Sequence, residues 1–147
     1  MSVINQWLTK PIPNPICISV IKLVLLGVSC GERRSGIDAT KICFEITETA
    51  AAARYSQANR FIKASKELGC MFALDDFGTG LSSFGYHFPV DFLKINGSFV
   101  KEILHDPIDR EMVRSINEIG HLTGKRTIAE FAENEEIITM LRGMGVD

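Results

Sequence analysis

The apolar positions of this chain fall into short continuous runs, separated by stretches with helical spacing. Lys41 to Thr47 (KICFEIT) is rich in β-branched and aromatic residues and predicts a strand. Ala51, Tyr55, Ala58, Ile62, Ser65 and Leu68 then recur every three or four residues, which predicts a helix stopped by Gly69. Met71 to Leu74 (MFAL) reads as a second buried strand ending at Asp75 and Asp76, followed by a Gly/Ser-rich loop, Phe77 to Ser83. Val90 to Ile95 (VDFLKI) is the third strand. Asp106 and Pro107 make a good helix start, with Ile108, Met112, Ile116 and Ile119 expected on the buried face. Arg126 to Ala129 is the fourth strand, and Asn134 caps a last helix with Glu135 and Glu136 in its first turn. Gly145-Val146-Asp147 has the look of the start of another strand. Nearer the N-terminus, Ile16 to Ser29 is an apolar run interrupted by Lys22, read as a buried strand or a damaged version of one.

Strand and helix alternate, and the strands are nearly continuous hydrophobic runs. Together these predict an α/β fold with a parallel sheet covered by helices. Glu45 with Glu48, Asp75 with Asp76, Lys94 with Asn96, and Glu130 with Glu133 sit at the C-terminal ends of consecutive strands. In a parallel sheet those ends converge on one face, where α/β enzymes place their sites. Several carboxylates brought close together are costly unless cations neutralise them, and oxygen ligands of this kind suit magnesium, manganese or calcium. A hard-metal site with one lysine nearby is the expectation. Plainer roles stay open: a strand-end acid can be solvated, Glu48 can be a helix-start acid, Lys94 can snorkel, and Gly78 and Gly80 can be turn residues.

Composition narrows the function classes. With 147 residues, 46% hydrophobic and 23% charged, the chain is an ordinary globular domain, and disorder, collagen-like structure and coiled coils are excluded. Sixteen basic against 18 acidic residues give a net charge of −2, which offers no reason to expect a nucleic acid polymer or an anionic membrane surface as partner. Cys17, Cys30, Cys43 and Cys70 form no Cys-x-x-Cys pair and there are 3 histidines, so zinc is not expected and four reduced thiols in the cytoplasm are. The apolar run near the N-terminus is too short to span a bilayer, which takes about 20 such residues. Gly27-Val28-Ser29-Cys30 faintly resembles a lipoprotein cleavage site, but Trp7, Pro11, Pro13, Pro15 and a lone Lys10 make a poor leader.

Four segments together carry a resemblance. Phe44-Glu45-Ile46-Thr47-Glu48-Thr49, Leu74 to Ser83 (LDDFGTGLSS), Pro89 to Ile95 (PVDFLKI) and Ile128 to Glu133 (IAEFAE) resemble, in order, the motifs of EAL domains, the bacterial cyclic di-GMP phosphodiesterase family. The resemblance implies a (β/α)₈ barrel of TIM type whose top face holds two divalent cations, Mg2+ or Mn2+. These cut cyclic di-GMP to the linear dinucleotide pGpG. It also implies residue roles. Glu45 would ligate the first metal, Asp75 would bridge both, and Asp76 and Glu130 would serve the second. Lys94 would hold the attacking water, Glu133 would support the site, and Glu48 would anchor the substrate loop of Phe77, Gly78, Thr79 and Gly80.

Departures from the family pattern set further expectations. A barrel of this type takes about 250 residues, against 147 here, so an incomplete barrel is expected. No Glu-Ala-Leu tripeptide occurs, and Ile21-Lys22-Leu23 stands where the family has a metal-binding Asn-Leu-Ser. Asn96 replaces the aspartate of the family's Lys-Ile-Asp, Tyr86-His87-Phe88-Pro89 is about two residues short, and the family's site glutamine is not reached. Residues 1–36 are expected to be a divergent segment and 37–147 a partial EAL domain. Three outcomes follow: a phosphodiesterase completed by another chain, a non-catalytic cyclic di-GMP receptor or interaction module, or an inactive remnant. Open barrel edges would favour self-association.

Overall fold

The structure is a computed structural model that describes residues 16–19, 38–79 and 87–147, with the backbone alone for 16–19. The readings of Trp7, of the apolar run beyond residue 19, of Cys30 and of Gly80 fall outside these residues, as do those of the Cys17 side chain. Five parallel strands form one sheet in sequence order: β1 (Ile16–Ser19), β2 (Ile42–Thr47), β3 (Met71–Phe77), β4 (Phe92–Ile95) and β5 (Arg126–Ala129). Between them run α1 (Glu48–Ala53), α2 (Tyr55–Glu67), α3 (Gly97–Lys101) and α4 (Pro107–Leu122), and α5 (Glu135–Gly143) follows β5. Among the described residues no helix is long and apolar enough to cross a membrane.

Side chains alternate across the sheet with period two. Phe44, Ile46, Phe72, Leu74, Leu93 and Ile95 point to the helices and join Ile62, Val113, Ile116 and Ile137 in the main core. Phe72 lies 5.2 Å from Phe44 and 5.8 Å from Phe61 between ring centroids, an aromatic cluster that seats α2 on the sheet. The opposite face carries a small cluster of Cys43, Ala73 and Phe92, against which Met71 and Ile128 pack. The Cys43 and Cys70 side chains are both buried.

Several elements differ from expectation. The helix expected from Ala51 to Leu68 is two helices, because Arg54 leaves helical geometry at φ −136° and ψ 48°. Ala51, Ala58, Ile62 and Ser65 are buried, whereas Tyr55 and Leu68 are exposed. Strand β3 runs past Leu74 through both aspartates to Phe77. Helix α4 buries Val113, Ile116, Asn117 and Gly120, while Ile108 and Ile119 face outward. Asn117 tolerates burial because its amide accepts from Thr127 Oγ1 and donates to the Met144 carbonyl. Residues 145–147 add no strand: Gly145 (φ +79°) and Val146 close α5, and Asp147 Oδ2 accepts from Thr127 N at 3.0 Å.

Candidate functional site

Each of β2, β3 and β4 offers its next residue on the small-cluster face near its C-terminal end, and these are Glu45, Asp75 and Lys94. Glu130, immediately after β5, completes the set. Alternation alone therefore brings three acids and a lysine together, one from each consecutive strand. Lys94 Nζ lies 2.8 Å from Glu130 Oε1, 3.0 Å from Asp75 Oδ1 and 3.4 Å from Glu45 Oε1. The lysine is buried and the acids are half-buried. Burial pulls the Lys94 pKa down, but the hydrogen bond to Glu130 and the charges of Glu45 and Asp75 outweigh it and hold the pKa above the usual lysine range. Lys94 is therefore a fixed cation.

Two adjacent aspartates on a regular strand would point to opposite faces. Here the β3–β4 register places Leu74 opposite Leu93 and Phe77 opposite Ile95, so Asp75 and Asp76 together oppose the single residue Lys94. This is a β-bulge, and Asp76 sits in the left-handed region at φ 57°. Asp76 N donates to Asp75 Oδ1 at 3.0 Å, and Thr79 donates to the Asp76 carbonyl through both N and Oγ1. The bulge turns both acids to one side. Carboxylate oxygens of Asp75, Asp76 and Glu130 lie within 4.8 Å of one another.

Glu48, buried in the first turn of α1, accepts from Gly78 N at 3.4 Å. Gly78 has φ +94°, and a Cβ there would meet Ile116 Cδ1 at 2.7 Å, so the turn into the loop requires glycine. Phe77 packs into the helix-side core rather than facing the acids, and Thr79 is exposed. Glu133 is exposed on the connection between β5 and α5, outside the Asp75–Asp76–Glu130 cluster. Asn96 lies beside it: its Nδ2 donates to Asp76 Oδ1 at 2.6 Å and its Oδ1 accepts from Ser98 N at 2.8 Å, capping α3.

Sequence reasoning missed Phe131. It follows Glu130 at φ 56°, a left-handed conformation unusual for a bulky residue. Its ring fills the space a Cβ on Gly97 would occupy, 1.9 Å from Phe131 Cδ2, and Lys101 Nζ sits 4.6 Å from the ring centroid. Nothing in hydrophobic spacing signals such a backbone angle.

The donors are hard carboxylate oxygens, and the one ammonium leaves the four acids with net negative charge, so the residues fit a divalent cation. Comparison with known proteins agrees with this geometry. The family model described as "EAL domain" matches residues 29–147. Cyclic di-GMP phosphodiesterase PdeB of Shewanella oneidensis is 43% identical over 108 residues, covering 72% of this chain and 13% of that protein. Among solved structures, the PaMucR phosphodiesterase in complex with c-di-GMP superposes with a TM-score of 0.82 at 24% identity, covering 90% of this chain and 57% of that one. A manganese and cyclic di-GMP complex of BlrP1 from Klebsiella pneumoniae gives 0.69 at 27% identity, covering 76% and 29%. The chain thus spans a small fraction of its curated relative's length. Its parallel strands, alternating with helices, are part of the TIM-type barrel of those structures, and the chain belongs to the EAL domain family.

Proposed function

We propose that this chain carries the second-metal side of a cyclic di-GMP phosphodiesterase site, and that the 147 residues as they stand do not turn the substrate over. The single observation that carries the reading is the convergence of Asp75, Asp76 and Glu130 within 4.8 Å, built by the bulge in β3. The names of the relatives and the manganese and cyclic di-GMP complex of a structural neighbour support both cation and substrate class.

In this reading Asp76 and Glu130 would hold one cation, Asp75 would contribute to both positions and Glu45 to the second; Mg2+ or Mn2+ would suit the oxygen set. Bound cations of this type lower the pKa of a coordinated water toward neutrality and clamp the attacking and leaving oxygens. In the metal-free protein Glu130, Glu45 and Asp75 hold the Lys94 pKa above the usual lysine range, which places there a cation able to donate hydrogen bonds and to offset negative charge on a phosphate. Glu48 holds Gly78 so that the loop backbone can approach the ligand. Glu133, exposed nearby, supports the rim. Residues 37–147 carry all of these parts.

Loss of turnover is supported by chemistry at the first position. No Glu-Ala-Leu tripeptide occurs in the 147 residues, Ile21-Lys22-Leu23 replaces the asparagine motif, and Asn96 removes a negative charge. The Asn96 Oδ1 faces Ser98 N while its Nδ2 faces Asp76, so the amide presents its NH2 to the acids. Losing one such electrostatic contact costs about 10²–10³ in rate, and cooperating groups fail together. Purified chain incubated with cyclic di-GMP and Mn2+ should yield no linear dinucleotide by chromatography. Turnover abolished by Glu45→Ala or Lys94→Ala would overturn the loss-of-turnover reading.

A further inference from the structure

Lys94 pairs with Glu45, Asp75 and Glu130, which leaves Asp76 as the acid of the cluster that the ammonium does not neutralise. Among the described residues its carboxylate meets one donor, Asn96 Nδ2, at 2.6 Å. The orientation of that amide follows from its other end. Ser98 N is a donor, so the atom 2.8 Å from it must be the Asn96 oxygen, and the group facing Asp76 must be the NH2. Asn96 therefore offers the site neither charge nor a free ligand oxygen.

It does offer a hydrogen bond where a cation would otherwise be needed. Asp76 occupies a left-handed position inside a bulge, next to two further carboxylates, and that arrangement persists only if the surroundings fix it. We propose that Asn96 is a positioning residue that substitutes for a bound cation: its amide clasps Asp76 and holds the Asp75–Asp76 bulge in its site-forming shape without metal. The proposal rests on the reading of Asp75, Asp76 and Glu130 as a cation site. An aspartate at 96 would place a carboxylate oxygen at hydrogen-bond distance from Asp76 Oδ1. Two ionised carboxylates that close require a proton or a cation between them. Asn96 makes the half-site metal-independent in shape, and by occupying Asp76 it also weakens the half-site's hold on a metal.

Asn96→Ser and Asn96→Asp both retain an oxygen able to cap α3 and both remove the clasp, so they isolate it from the cap. In thermal unfolding with a chelator present, each should have a Tm lower than wild type by about 3–8 °C. The exchange Asp76→Asn with Asn96→Asp reverses donor and acceptor and should recover most of that loss. Titrated with Mn2+ and followed by the rise in Tm, Asn96→Asp should show roughly tenfold tighter apparent binding than wild type. Unchanged Tm in both single variants, or an exchange that recovers nothing, would overturn the clasp. A Mn2+ response in Asn96→Asp no stronger than wild type's would overturn its role in place of a cation. If Mn2+ shifted none of the proteins, the cation-site reading itself would fall too, while the chelator series would still decide the clasp.

Discussion

Removing the Lys94 ammonium leaves Glu45, Asp75 and Glu130 facing one another without their counter-charge. Breaking a buried ion pair from one side costs roughly 3–5 kcal/mol, so Lys94→Met should destabilise the metal-free chain by about that amount in urea denaturation at pH 7. Mn2+ should return part of the loss, because a cation can take over the neutralisation. An equal loss with and without Mn2+ would argue against a cation site. A lysine whose pKa is raised on folding stabilises fully below its unfolded pKa, about 10.4, and loses that contribution as pH climbs through the higher folded value. The gap between wild type and Lys94→Met should thus stay flat from about pH 7 to 9 and narrow only above about 10.4. The membership of this cluster was legible in the sequence because strand period and parallel order decide which side chains meet. The bulge at Asp76 and the left-handed Phe131 were not, since both are backbone choices forced by packing around the site.

At the scale of elements, α4 is the instructive case. Spacing put Ile108, Met112, Ile116 and Ile119 on one face; Ile116 is buried as that implies, but the helix packs through Val113, Ile116, Asn117 and Gly120. The true face was disguised because it contains a polar residue and a glycine, each there for a neighbour on β5. Asn117 satisfies the Thr127 hydroxyl, and Gly120 leaves room for the Thr127 methyl, which a Cβ would approach to 2.6 Å. Gly120→Ala should accordingly destabilise by about 1–3 kcal/mol through overpacking, even though alanine in a helix interior gains up to about 1 kcal/mol over glycine. Chemical denaturation reads the sign directly. A stabilised variant would show that α4 does not pack as closely on β5 as described. The split of α1 from α2 at Arg54 escaped the sequence for a related reason: helical spacing continues across the break.

For the whole molecule, the parallel order β1 to β5 follows the chain, so each motif segment lands beside the next and the four strand ends form one acidic face. The outer strands of the described sheet are β1 and β5, and the Asp147 carboxylate already occupies one backbone donor of β5, that of Thr127. What the fold assembles is a partly neutralised acidic cluster, with Lys94 holding three acids and Asn96 the fourth. This charge balance and the oxygen donors fit a divalent cation. Calorimetric titration of Mn2+ into the metal-free chain tests that claim most directly. The account predicts one weak site, lost in Asp75→Ala. Two tight sites, no binding at all, or binding unchanged by Asp75→Ala would contradict it.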